Sequence, residues 1–127
     1  MLPTSVRVVI ADGDAGAAEA LAVQLRAAGH HVHLAQDDTR ALTLAELLRP
    51  DVVLLDLDLK SVGGEELARQ MRSAHWGVAI QLIAIGEPQA EQQGKLHRDA
   101  FDEYVTRPVD VDVLLQLISP RTQDPPP

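Results

Sequence analysis

The sequence predicts an α/β fold: a doubly wound, five-stranded parallel sheet with helices on both faces. Three observations carry this. Short apolar runs alternate with segments whose apolar residues recur at helical spacing. Runs such as "RVVIA" and "DVVLLD" are almost continuously apolar, the mark of strands buried on both sides. Strand and helix alternate five times, and right-handed crossovers turn that order into a sandwich of helices around one parallel sheet.

Arg7 to Ala11 reads as the first strand, followed by "DGD" and a helix in "AGAAEALAVQLRAAG". There Ala18, Leu21, Ala22, Leu25 and Ala28 share a face, Asp14 is placed to cap the start, and Gly29 follows the end. "HVHLA" alternates as a short strand. Thr39 to Leu48 is a helix with Leu42, Ala45 and Leu48 on one side, stopped by Pro50. "DVVLLD" is the third strand, "SVGG" a loop and Glu65 to Ser73 a helix. "VAIQLIAI" is the fourth strand, broken by "GEP", and a polar helix is expected from about Gln89 to His97. "DEYVT" is the fifth strand. Asp110 caps a last helix through Leu114, Leu115 and Ile118, which Pro120 ends. Residues 1–119 are expected to form one domain, with a disordered tail over 120–127.

A chain of 127 residues with 46% hydrophobic residues suits one domain with a real core, and at 2% aromatic that core is aliphatic. A net charge of -8 repels phosphate backbones, so no nucleic acid is expected as a partner of this domain. With no cysteine, disulfides, thiolate zinc sites and a cysteine nucleophile are excluded. No signal-peptide pattern opens the chain and no apolar run approaches the roughly 20 residues of a bilayer span. We therefore expect a soluble, cytoplasmic protein with no membrane partner. After Ile118 too few residues remain for an output domain, so the chain is read as stand-alone or as a piece of a longer protein.

The third strand drives an apolar run straight into Asp56, with Asp58 just beyond. A carboxylate there needs the open end of a strand or a cation, because burial without a partner costs several kcal/mol. In this fold class, function gathers outside the carboxyl ends of the strands. Those ends deliver Asp12, Gly13 and Asp14, then Asp56 and Asp58, then Ile85 and Gly86, and finally Arg107. Clustered carboxylates repel unless a cation intervenes, and hard oxygen donors without Cys or a suitable His favour Mg²⁺ over zinc. A central carboxylate, a metal cation beside it and a basic side chain opposite form a layout for phosphoryl transfer onto the carboxylate.

Three segments in this order resemble the receiver domains of bacterial two-component response regulators. They are "RVVIADGDAGAAEALAVQLRAAGHHV", "PDVVLLDLDL" with "GGEELARQMR", and "AFDEYVTRPVD". The resemblance runs from about Arg7 to Ile118 and implies a flavodoxin-like strand order 2-1-3-4-5. It implies that Asp56 is the phosphoacceptor, Asp12 an acidic-pocket residue, and the backbone carbonyl of Asp58 a Mg²⁺ ligand. Tyr104 takes the aromatic switch position, and the Arg107-Pro108 bond is expected to be cis. A histidine kinase or phosphotransfer protein is the implied partner.

The departures from the family pattern are as informative. Gly13 stands where the second acid contacts the metal, and Asp14 reaches that role only by a local rearrangement. Counting back from Arg107 places Ile85, or Gly86 with a one-residue deletion, where a Thr or Ser touches the phosphoryl group. Neither has a hydroxyl. Arg107 replaces the usual Lys, and its planar fork is not equivalent to a compact ammonium. Lys60 replaces the usual Pro. The expectation is phosphorelay signalling through Asp56 with impaired efficiency and weak or absent Mg²⁺ binding. The alternative is a phosphorylation-independent module for protein interaction or homodimerisation. An enzyme on the same fold is disfavoured, because neither a G-x-G-x-x-G loop nor a P-loop Lys is present.

Simpler roles compete for several residues. Asp12 would serve as a strand-end turn residue, Asp56 as a loop cap, Asp14 as a helix cap, and Tyr104 as packing on the sheet. His31 and His33 share a face of a short strand with no third ligand evident, which reads as a solvated edge. Trp76 is placed before the fourth strand, away from Asp56.

Overall fold

A computed structural model describes residues 5–59, 63–87 and 100–118. The strands are β1 (Arg7–Ala11), β2 (His31–Ala35), β3 (Val52–Asp56), β4 (Gln81–Gly86) and β5 (Glu103–Thr106). They form one parallel sheet in the order β2-β1-β3-β4-β5, as expected. The helices are α1 (Ala15–Ala27), α2 (Asp38–Leu48), α3 (Gly64–Ser73) and α4 (Val111–Leu117), with a 3₁₀ turn at His75–Gly77. The polar helix expected near Gln89 to His97, Lys60 and the tail over 120–127 lie outside the described residues.

Side-chain alternation splits β3 between two cores. Val53 and Leu55 pack with Ala41 and Ala45 of α2 and with Leu67 and Met71 of α3. Val52 and Leu54 pack with Leu21 and Leu25 of α1 and with Leu114 of α4. All four strand residues have 0% exposure, which is why the run must be apolar throughout. Each such buried aliphatic contributes about 1.5–3 kcal/mol. By the same period of two, Asp56 projects to the α1 and α4 side.

Local chemistry sets the helix ends. Asp14 caps α1 by accepting from the Ala17 N–H at 3.1 Å. Asp37 does the same for α2 toward Arg40 at 2.8 Å. Asp110 caps α4 through the N–H groups of Asp112 and Val113. In α2 the buried residues are Asp38, Ala41 and Ala45, while Leu42 and Leu48 pack only partly.

The fourth strand starts later than its apolar run suggests, at Gln81 rather than Val78. The 3₁₀ turn carries the chain outward, and Val78 is 73% exposed. Arg72 holds that turn in place. Its guanidinium donates to the carbonyls of Gly77, Val78, Ile80 and Ala100, and it pairs with Asp102 at 2.7 Å. Trp76 is buried against the α2 and α3 side of the sheet, where the Arg49 guanidinium lies 5.7 Å from its ring centroid. His31 and His33 are exposed on edge strand β2, as the alternation indicated. No helix among the described residues is long and apolar enough to cross a membrane.

Candidate functional site

The carboxyl ends of β1 and β3 lie side by side, with Ala11 in register with Leu55. Asp12, just past β1, and Asp56, the last residue of β3, are therefore neighbours. Both are buried, at 4% and 7% exposure. Beyond β5, the Arg107 side chain returns over them. Its Nη2 lies 3.0 Å from Asp56 Oδ1 and 3.5 Å from Asp12 Oδ2. The guanidinium supplies the cation that the opening carboxylates of this rim require. The Arg107-Pro108 peptide is cis.

Backbone donors fix the two carboxylates. The Asp14 N–H donates to Asp12 Oδ1 at 2.9 Å, and the Asp58 N–H donates to Asp56 Oδ1 at 3.0 Å. Burial raises the Asp12 carboxyl above the ordinary range. The Asp14 N–H and the Arg107 charge oppose that rise, and the charge of Asp56 and its hydrogen bond with Asp12 add to it. Burial alone would pull the Arg107 guanidinium down. The charges of Asp56 and Asp12 outweigh burial and hold it above its usual value.

Asp14 is occupied as the α1 cap, and the Asp58 side chain is exposed. Gly13 is not demanded by the backbone: a Cβ there would meet only the Gln36 carbonyl at 3.8 Å. Ile85 pairs in register with Asp56 and packs on the same face of the sheet. Gly86 faces the other side. A Cβ at Gly86 would lie 2.7 Å from the Tyr104 hydroxyl, so a larger residue there would require the ring to shift. Tyr104 is half-buried there and donates to the Glu87 carbonyl at 2.7 Å.

Glu87 is the site residue that sequence reasoning missed. Its Oε1 lies 3.8 Å from Arg107 Nε, so one guanidinium faces three carboxylates. The available signal was position: Glu87 follows directly on the tip of β4. Beside the rim, Ala17, Leu21, Val109 and Val111 line a groove of about 500 Å³ that reaches Asp12 and Arg107.

No group of three or more His, Cys, Asp or Glu is gathered for a metal among the described residues. The rim offers the Asp12 and Asp56 carboxylates, with the Asp58 main chain next to them. Hard oxygens of this kind fit Mg²⁺, which binds through one or two carboxylates and retains several waters. The fit is made with one acid fewer than the resemblance implies.

The chain matches the response regulator receiver domain model over residues 8–119. It is 34% identical over 113 residues to the DNA-binding dual master transcriptional regulator RpaA of Synechocystis sp., a match covering 86% of this chain and 46% of RpaA. It is 34% identical over 110 residues to the response regulator MprA of Mycobacterium sp., covering 87% of this chain and 47% of MprA. The chain thus spans about half the length of these relatives.

Among solved structures, it is similar in fold to the chemotaxis response regulator CheY4 of Vibrio cholerae. That match has a TM-score of 0.80 at 21% identity and covers 89% of this chain and 95% of the other. It is also similar to the receiver domain of the sensor histidine kinase PA1611 from Pseudomonas aeruginosa, at a TM-score of 0.81 and 21% identity, covering 90% and 94%. That neighbour holds a magnesium ion in its active site cleft. The sheet order, the acidic rim and the span of the family match lead to one assignment: the chain belongs to the response regulator receiver domain family.

Proposed function

We propose that this receiver accepts a phosphoryl group on Asp56, from a histidine kinase, a phosphotransfer protein or a small acyl phosphate, and that it does so inefficiently. The observation that carries this reading is the single guanidinium within 3.0 Å of Asp56 and 3.5 Å of Asp12 at the carboxyl rim of the sheet. Asp56 Oδ1 is held by Arg107 and by the Asp58 N–H, which leaves Oδ2 as the oxygen to attack an incoming phosphorus. The new O–P bond forms as the N–P bond of a phosphohistidine or the O–P bond of an acyl phosphate breaks. The imidazole or carboxylate leaves with the electron pair.

When bound, Mg²⁺ held by Asp12, Asp56 and the Asp58 carbonyl would neutralise charge on the transferring group. Arg107 steadies the acceptor and faces the charge that builds on it. The apolar groove beside Asp12 and Arg107 suits a helix that presents the donor histidine. Inefficiency follows from the missing groups. Gly13 supplies no carboxylate, and Ile85 and Gly86 supply no hydroxyl. Each lost contact costs about 1–3 kcal/mol, and two together slow transfer by orders of magnitude. Tyr104, packed over Gly86, is the residue placed to report the change.

Incubation with acetyl phosphate and Mg²⁺ followed by intact-mass measurement tests this. A phosphoryl mass on the wild type that is absent from Asp56→Asn is expected. No adduct with acetyl phosphate or a cognate kinase overturns it. That result would favour a phosphorylation-independent module for protein binding or self-association, a reading supported by the guanidinium already neutralising the acidic pair.

A further inference from the structure

We infer that Arg107 is a built-in competitor for the cation position, and that Glu87 is the outer station to which its guanidinium withdraws when a divalent ion enters. The inference rests on the receiver reading for the identity of that ion. It goes beyond that reading by assigning a second obstacle, a residue that is present, in addition to the acid that is missing.

Arg107 Nη2 spans one oxygen from each of two strands, 3.0 Å to Asp56 and 3.5 Å to Asp12. These are the two carboxylates that fit Mg²⁺. A guanidinium and a divalent cation repel, so they do not share the same pair of oxygens. The forked shape matters. An ammonium is a single point on a shorter stem, whereas the planar fork touches two partners and keeps a further nitrogen for a third. That third partner is Glu87, 3.8 Å from Nε.

The two stations differ in solvent access. The Asp12 and Asp56 side chains are 5% and 10% exposed, and Glu87 is 56% exposed. The inner station is therefore strong while the rim holds no other cation. The outer one keeps the displaced charge paired at little desolvation cost. Glu87 also accepts the Tyr104 hydrogen bond through its carbonyl.

Calorimetric titration with MgCl₂ tests the proposal, using wild type, Arg107→Lys, Arg107→Met, Glu87→Gln and the Arg107→Met/Glu87→Gln pair. Arg107→Met is expected to tighten Mg²⁺ about tenfold, and Arg107→Lys at least about threefold although it keeps the charge. Glu87→Gln is expected to weaken binding about threefold on its own and to change nothing in the Arg107→Met background, because it acts through the guanidinium.

Nitrogen NMR of the wild type supplies a check that depends on no variant folding. The Arg107 Nε–H signal should shift along the same Mg²⁺ isotherm as the calorimetry. Arg107→Lys binding within twofold of wild type overturns the competition. So does saturation with Mg²⁺ while the Nε–H signal stays fixed, or an absence of binding in every variant. A Glu87→Gln effect that persists without Arg107 overturns the outer station. Failure of the receiver reading shows up separately, as no phosphoryl adduct on Asp56, and leaves the titration readable.

Discussion

Two arginines at opposite ends of the same sheet are used in opposite ways. Arg72, by the amino ends of β4 and β5, donates to four main-chain carbonyls and pairs with Asp102, whose carboxylate also accepts the Leu82 N–H at 2.8 Å. Arg107, at the carboxyl end, faces three carboxylates, two of them buried. The first makes a neutral, saturated network that pins a turn. The second sits among charges that have been brought together against their repulsion. Arg72 thus stabilises the fold, while the residues around Arg107 draw on that stability to hold like charges together.

The largest effect expected from this contrast is at Arg72. Arg72→Met should lower stability by about 3 kcal/mol, because several part-buried carbonyls lose their donor together and Asp102 loses its ion pair. Urea unfolding measures it. A loss below about 1 kcal/mol would mean that water replaces the guanidinium and that this end is not the anchor.

The glycines repeat the contrast. A Cβ at Gly77 would overlap the Met71 carbonyl, so the Arg72 end requires glycine, whereas a Cβ at Gly13 on the rim would make only an ordinary contact with the Gln36 carbonyl. Gly13→Asp should therefore fold and restore an oxygen donor, tightening Mg²⁺ about tenfold, or roughly 1.4 kcal/mol. Fluorescence of Trp76, buried on the far face of the sheet, is a poor reporter of that change, so calorimetry is the measurement. Unchanged affinity would shift the weakness of the site from the missing acid to Arg107.

Much of this was legible in the sequence. "DVVLLD" announced a strand buried on both faces, Asp14 its helix cap, and Asp12, Asp56 and Arg107 a shared rim. What was not legible depended on contacts between distant segments. "VAI" of 78–80 looks like strand, yet Arg72 takes the carbonyls of Val78 and Ile80 into a turn. The face that each of Ile85 and Gly86 presents followed only from the register of Asp56 with Ile85. Glu87 carries no motif. It matters because the guanidinium of Arg107 happens to reach it.

A smaller effect, of opposite sign to that at Arg72, is expected at Asp12. Burial holds its carboxyl above the usual range, so the folded state binds that proton more tightly than the unfolded chain. The resulting stabilisation is complete below the unfolded value and is lost as pH rises through the raised folded one. At neutral pH the ionised group is a liability. Asp12→Asn keeps an acceptor for the Asp14 N–H and should raise stability by about 1 kcal/mol at pH 7. The gain should shrink toward zero in acid. A variant less stable than wild type at pH 7 would show that the Arg107 pairing outweighs burial and would erase the contrast between the two ends.

The smallest effect tests whether the structural end is indifferent to pH. His30 Nδ1 accepts the Val6 N–H at 3.2 Å, which only the neutral ring can do at that nitrogen. Burial, and then the neighbouring His31 charge, hold its pKa below the ordinary histidine value. The unfolded chain therefore takes up the proton first. This group's contribution is present above the unfolded value and is lost as pH falls through the depressed folded one. Wild type should lose up to about 1 kcal/mol more than His30→Asn as the pH is lowered from 7.5 to about 5. Equal slopes for the two proteins would mean that water satisfies the Val6 N–H once the ring is charged. The amino end of the sheet would then be insensitive to pH as well as to ligand.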